Sequence, residues 1–145
     1  MAPCSSAGER MDDVPPPLPD PGPDGREFWN GCRRHELRLQ RCASCDRARF
    51  APRPACPWCG SRRAVWFTAS GRGRVFSWTV VHRPTLPAFT PMLPYAAGLI
   101  ALEEGVLMVG QIRGCDPHVV RAGMEVRVEF DDVTADVSLP HWRVV

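Results

Sequence analysis

The chain has 145 residues, enough for one ordinary domain or for two small units sharing a core. Its 44% hydrophobic content excludes wholesale disorder, and no apolar run is long enough to span a bilayer. The net charge of +2 hides a division: residues 1–25 carry −4, residues 26–74 carry twelve arginines against three acids, and residues 75–145 carry −3.

Residues 1–25 include PPPLPDPGPDG, which has too little apolar surface to offset the ordering of its backbone, so a flexible proline-rich tail is expected. The N-terminus shows no basic stretch followed by a hydrophobic segment, as a secretory leader would, so a cytoplasmic location with reduced thiols is expected. Residues 26–40 place Phe28, Trp29, Cys32, His35 and Leu39 at roughly helical spacing, interrupted by Gly31, which predicts one or two short helices. Residues 41–64 hold four cysteines among prolines that bar regular helix or central strand.

From residue 65 the pattern is that of strands. Phe76, Trp78 and Val80 alternate with Val75, Ser77 and Thr79, and a long proline-rich loop, RPTLPAFTPMLP, follows. YAAGLIALEEG and VLMVGQIRG read as two further strands. DPHVVRAG reads as a single helical turn with Asp116 as its cap, Pro117 first in the helix and Gly123 ending it. MEVRVEFDD turns Val126, Val128 and Phe130 inward, and VSLPHWRVV is a last strand, placed at an edge because Pro140 cannot donate to a ladder. Five strands with a short helix between the third and fourth is the order of an OB-type barrel. The expected architecture is mainly β: a tail (1–25), an N-terminal helical segment (26–40), a rubredoxin-like zinc ribbon (41–64) and a five-stranded OB-fold barrel (65–145).

Cys42, Cys45, Cys56 and Cys59 are spaced as two Cys-x-x-Cys knuckles ten residues apart, which suits one tetrahedral zinc ion. The turn closing each knuckle needs a positive φ, for which Gly60 is free and Asp46 tolerant. Strand-like flanks at 37–40 and 64–68 fit a ribbon. A thioredoxin-like pair would open a helix after a strand, and Pro57 and the second knuckle argue against it. Four thiolates close the coordination sphere, so the site is structural rather than catalytic. Cys115, His82, His118 and His141 form no recognisable constellation by spacing. Glu103-Glu104 and Asp131-Asp132 read as solvated turn carboxylates, and no nucleophile elbow, phosphate loop or zincin motif is present.

The stretches FWNGCRRHELRLQRCASC, RFAPRPACPWCGS, ASGRGRVFSWTVVHRP and LPYAAGLIALEEGVLMVGQIRGCDP, followed by AGMEVRVEFDD, resemble the DUF35 family of zinc-ribbon OB-fold proteins over residues 26–145. The resemblance implies a non-catalytic accessory subunit that completes a thiolase-like enzyme of acyl transfer, condensation or retro-aldol cleavage, and that helps to hold acyl-CoA. It maps Cys42, Cys45, Cys56 and Cys59 onto the family's zinc positions. Asp46 departs from it, since a glycine is common there.

Phe28, Trp29, Phe89, Met92 and Tyr95 are apolar groups outside the strand pattern and are the expected partner contacts. Arg33, Arg34 and Arg38 suit CoA phosphates as bidentate donors. The alternative is a single-stranded nucleic-acid-binding module built from the same ribbon and barrel. The acidic later strands, with Glu103, Glu104, Glu129, Asp131 and Asp132, disfavour it.

Overall fold

The structure, a computed structural model, describes residues 15–145. Cys4 and most of the expected tail lie outside the described residues. The first helix, α1 (Gly22–Arg33), takes in the last four residues assigned to that tail. Pro23 in its first turn has the φ a helix needs and Asp24 favours the positive end of the dipole. Its buried face is Phe28, Gly31 and Cys32, one stripe of the helix.

The helix does not run on to Leu39, as the spacing predicts. Arg34 and Glu36 N–H groups both donate to the Gly31 carbonyl, and His35 takes a positive φ of 57°. The chain then reverses so tightly that a Cβ at residue 31 would lie 2.3 Å from Arg38 Cγ and 2.8 Å from the Glu36 carbonyl oxygen. Gly31 is therefore the residue that lets the next strand cross the helix end.

Three short strands follow: β1 (Arg38–Cys42), β2 (Ala48–Arg49) and β3 (Ala64–Thr68). They form an antiparallel sheet with β1 in the middle, Gln40 opposite Arg49 on one side and Trp66 on the other. Residues 65–68, assigned to the barrel from sequence, thus pair with the ribbon. Gln40 is buried and its Oε1 accepts from Arg49 Nε and the Arg53 N–H at 2.7 and 3.0 Å, which fixes the loop leaving β2.

The barrel comprises β4 (Arg72–Val81), β5 (Tyr95–Leu102), β6 (Leu107–Arg113), β7 (Glu125–Asp132) and β8 (Ser138–Val144). It closes in the order β4-β5-β6-β8-β7, with β6 and β8 parallel and all other pairs antiparallel. That is the Greek-key order of the OB fold. A 3-10 turn (Pro117–Val119) fills the connection between β6 and β7, capped by the Asp116 side chain, which accepts from the His118 N–H at 2.8 Å. β8 is an interior strand, not an edge. Pro140 is accommodated because β8 meets β6 only at Trp142 and Arg143, leaving the Pro140 segment paired to β7 alone.

Helix, ribbon and barrel share one core. Phe28, Cys32, Leu37 and Leu39 belong to the same buried cluster as Val75, Ile100, Met108, Val126 and Trp142. The largest of these, Trp142, is fully buried and lies over Gly110, where a Cβ would come within 2.6 Å of the indole.

Candidate metal centre and partner surface

The two knuckles fold alike because the same short-range hydrogen bonds close both. Asp46 N–H donates to the Cys42 carbonyl and Gly60 N–H to the Cys56 carbonyl, each at 2.9 Å. In return Cys42 N–H reaches the Arg47 carbonyl at 3.0 Å and Cys56 N–H the Ser61 carbonyl at 2.8 Å. Asp46 and Gly60 carry the positive φ values, 59° and 73°, that these turns require. The two loops are joined by the Ser44 and Ser61 hydroxyls at 2.8 Å, by Arg63 Nη2 donating to Ser44 Oγ, and by the Ala43 N–H donating to the Arg63 carbonyl. Sequence reasoning missed this polar strap, since nothing in the cysteine spacing marks serines or Arg63.

All four sulfurs lie within 4.8 Å of one another, with Cys42–Cys59 and Cys45–Cys56 at 3.6 Å. A zinc–sulfur length of about 2.3 Å in a tetrahedron sets sulfur–sulfur edges of about 3.8 Å, so the cluster fits the ion. Its charges point the same way. N–H groups of Cys45 and Ser44 draw the Cys42 thiol down to about 6. The Cys59 thiol is pushed up to about 11: the Ser61 N–H pulls it down, but burial and the neighbouring sulfurs outweigh it. Four thiolates this close need a divalent cation among them. Cys42, Cys45, Cys56 and Cys59 therefore form one structural zinc site with every position of the tetrahedron filled by the protein.

Among the described residues, the other cysteines and the histidines do not assemble a reaction centre. Cys32 is fully buried, and desolvation pushes its thiol up to about 12. His35, Asp132 and Ser138 meet, but both His35 Nε2 and the Ser138 hydroxyl contact Asp132 Oδ1, so the carboxylate lies between them and the imidazole makes no hydrogen bond to the hydroxyl. His141 is buried between Glu129 and Asp131, whose carboxylates are already held by Arg143 and Arg113. Burial, and then the Arg113 charge, lower its pKa.

One barrel face has a different character. Along β5, Ala96, Gly98, Ile100 and Leu102 point inward, leaving Ala97, Leu99 and Ala101 outside. Across the ladder, Leu99 faces Val109 and Ala101 faces Leu107. Val109 is 67% exposed, and so to a lesser degree is Leu107. A bulge between Val75 and Ser77 leaves Phe76 without a partner and 60% exposed beside them. The loop joining β4 to β5 adds Leu86 and Met92, both exposed. In OB folds, this second and third strand face and this loop are the ligand-binding side.

Two family descriptions match the chain: "ChsH2, rubredoxin-like zinc ribbon domain" over residues 29–65 and "ChsH2, C-terminal OB-fold domain" over residues 66–131. A DUF35 domain-containing scaffold protein of Methanothermobacter thermautotrophicus is 35% identical over 70% of this chain and 76% of its own. The chain belongs to the DUF35 family. The 3-oxo-4,17-pregnadiene-20-carboxyl-CoA hydratase alpha subunit of Mycobacterium tuberculosis is 40% identical over 97% of this chain and 45% of its own, so this chain spans less than half the length of that relative. The solved structure "Ltp2-ChsH2(DUF35) aldolase" superposes with a TM-score of 0.77 at 32% identity, covering 89% of this chain and 98% of the other.

Within this DUF35 chain the expected partner residues separate. Phe28 is 3% exposed and packs edge-on against Trp29, with ring centroids 5.1 Å apart, and against Phe50 at 5.3 Å. It is a core residue, and its expected role as a partner contact is corrected. Trp29 is half-buried beside it. Phe89 and Tyr95 are half-buried and Met92 exposed, all in or next to the β4–β5 loop.

The three arginines expected at CoA phosphates are engaged with carboxylates instead: Arg33 with Asp136, Arg34 with Glu27 and Glu36, and Arg38 with Glu27. Arg38 also donates to Thr68 Oγ1 at 2.8 Å, tying the ribbon sheet together. Among the described residues, no helix is long and apolar enough to cross a membrane.

Proposed function

We propose that this protein is a non-catalytic accessory subunit that docks on a thiolase-like, acyl-CoA-processing enzyme and completes it. The observation that carries this reading is the uncharged, outward face of Phe76, Leu99, Leu107 and Val109 on a barrel that has no catalytic grouping of its own. An apolar sheet face in water is stabilised by covering it with another protein surface, and Phe76, with Met92 of the adjoining loop, is of the kind enriched in such contacts. Relatives named as a hydratase alpha subunit and as part of an aldolase complex support the same assignment.

Docking rather than catalysis also accounts for the sealed metal. A filled tetrahedron offers no position for water or substrate, so the ion braces the ribbon that the barrel leans on. The nucleic-acid alternative needs cations among stacking aromatics on the ligand-binding face. On the outward side of β5 and β6 the one cation is Arg113, and Asp131 holds it at 2.5 Å.

The test is co-expression with a thiolase-like enzyme subunit from the same genome. A complex that elutes together on size exclusion, with acyl-CoA turnover absent from the small chain alone, is the expected result. Independent elution of the two proteins, or thioester turnover by the small chain alone, would refute the reading. Whether the assembled pair holds acyl-CoA partly through this chain is read by comparing acyl-CoA affinity of the complex with that of the enzyme alone.

A further inference from the structure

The barrel carries a row of arginines, one from each of four neighbouring strands, that begins at Arg113 on β6 and runs away from the apolar residues to β4. Arg72 of β4 is opposite Arg127 of β7, Arg127 is opposite Arg143 of β8, and Arg143 is opposite Arg113 of β6. Two of the four are neutralised within the chain: Arg143 Nε is 2.8 Å from Glu129 Oε1 and Arg113 Nη1 is 2.5 Å from Asp131 Oδ2. Arg72 and Arg127 are exposed, and among the described residues their guanidinium groups make no ion pair or hydrogen bond. Like charges directly opposite in a ladder repel, so these two positions favour a shared counter-ion.

A groove of about 460 Å³ opens beside them, at the end of β4 remote from the β4–β5 loop. Arg72, Arg74 and Arg127 line it together with Glu103 and Glu125, over an apolar floor that includes Val126. Glu125 is taken by Arg74 at 2.5 Å, and Arg74 is further fixed by the Gly123 carbonyl at 3.2 Å. The guanidinium groups left free in the groove are thus Arg72 and Arg127, and the carboxylates left are Glu103 and the terminal group of Val145. Its volume is within the range of small-molecule sites.

We propose that this groove binds a phosphate-class anion, a diphosphate or a nucleoside diphosphate, between the Arg72 and Arg127 guanidinium groups. Planar forks with several N–H donors each match phosphate oxygens bidentately, and the anion removes the repulsion between the two cations. Glu103 and the Val145 terminal carboxylate set a limit on affinity, because both residues line the same space. The groove adjoins the apolar face at Ala101, which is opposite Leu107, but the inference does not rest on the docking reading: anion binding and partner docking are read by separate experiments, and either can fail alone.

The experiment is isothermal titration calorimetry of the zinc-loaded full chain with sodium pyrophosphate at low salt, against sodium chloride of matched ionic strength. One saturable site for pyrophosphate and none for chloride is expected. Arg72→Ala and Arg127→Ala should each weaken it about tenfold, the size of one charged hydrogen-bonding group lost. Glu103→Gln should tighten it, and Arg83→Ala, on an exposed residue at the other end of β4, should leave it unchanged. A parallel titration with ADP identifies the source: tighter binding than pyrophosphate assigns a nucleotide, equal binding a free diphosphate. No saturable heat with either ligand, or Arg72→Ala and Arg127→Ala proteins that bind as tightly as the parent, overturns the proposal.

Discussion

His35 Nε2 lies 2.9 Å from Asp132 Oδ1, joining the turn after α1 to the end of β7. The imidazole also stacks on Phe130, with centroids 5.4 Å apart and planes within 1°. The Ser138 hydroxyl donates to the same carboxylate oxygen. Helix, β7 and β8 are therefore fastened at one point.

The first prediction concerns the pH range of that fastening. The Ser138 hydroxyl, and then His35, hold the Asp132 carboxyl below its usual range. A carboxyl depressed in the folded state adds stability above its unfolded pKa, and this is lost as the pH falls through the folded value. Asp132→Asn should lower the melting temperature at neutral pH, with a deficit that shrinks below about pH 4. Arg33→Ala breaks only an exposed pair with Asp136 and should have little effect. Thermal melts of the three proteins from pH 3 to 8 decide it, and a deficit for Asp132→Asn that persists unchanged at pH 3 counts against the mechanism.

Metal content tests the ribbon. Cys56→Ser removes one of the four sulfurs around the cavity and should abolish binding of about one zinc per chain, with loss of ribbon structure. Elemental analysis of the purified variant against the parent gives the answer. Full zinc retention would show that the ligand set is wrong.

Packing around Trp142 gives a third expectation. Gly110→Ala places a methyl group from a half-buried position within 2.7 Å of two indole atoms of the fully buried Trp142. Overpacking of this kind costs about 1–3 kcal/mol, while Trp142→Ala should cost about 3–5 kcal/mol through the cavity it leaves. Denaturant unfolding of both variants measures it.

The docking face is tested by charge. Val109→Asp alters a residue that is 67% exposed, so the isolated fold should keep its melting temperature while the complex with the enzyme subunit weakens or is lost. Phe89→Asp in the β4–β5 loop is the companion change. Loss with Val109→Asp alone confines the contact to the sheet face, loss with both extends it to the loop, and survival with both rejects this side of the barrel.

The metal ligands were readable from the sequence because two residues between cysteines fix a knuckle locally, and Asp46 and Gly60 carry the φ that such a turn imposes. The barrel was readable because strands such as β5 alternate without interruption. What escaped depended on distant approaches. The helix stops at Arg33 because Arg38 returns across Gly31, and Phe28 is covered by Phe50, twenty-two residues later in the chain. Arg33 is paired with Asp136 from the hairpin between β7 and β8, which no local pattern announces. The exposure of Phe76 follows from a bulge that shifts the register of β4 against β5.

The barrel has no open margin, so the free sheet margins among the described strands belong to the three-stranded ribbon, at β2 and β3. β3, Ala-Val-Trp-Phe-Thr, is rich in the branched and aromatic groups that favour strand stacking, and its Val65 is already half in water. Chelation or thiol oxidation would thus release a sticky segment from its anchor, so that a failure of metal supply shows itself as precipitation of the chain before any partner is lost.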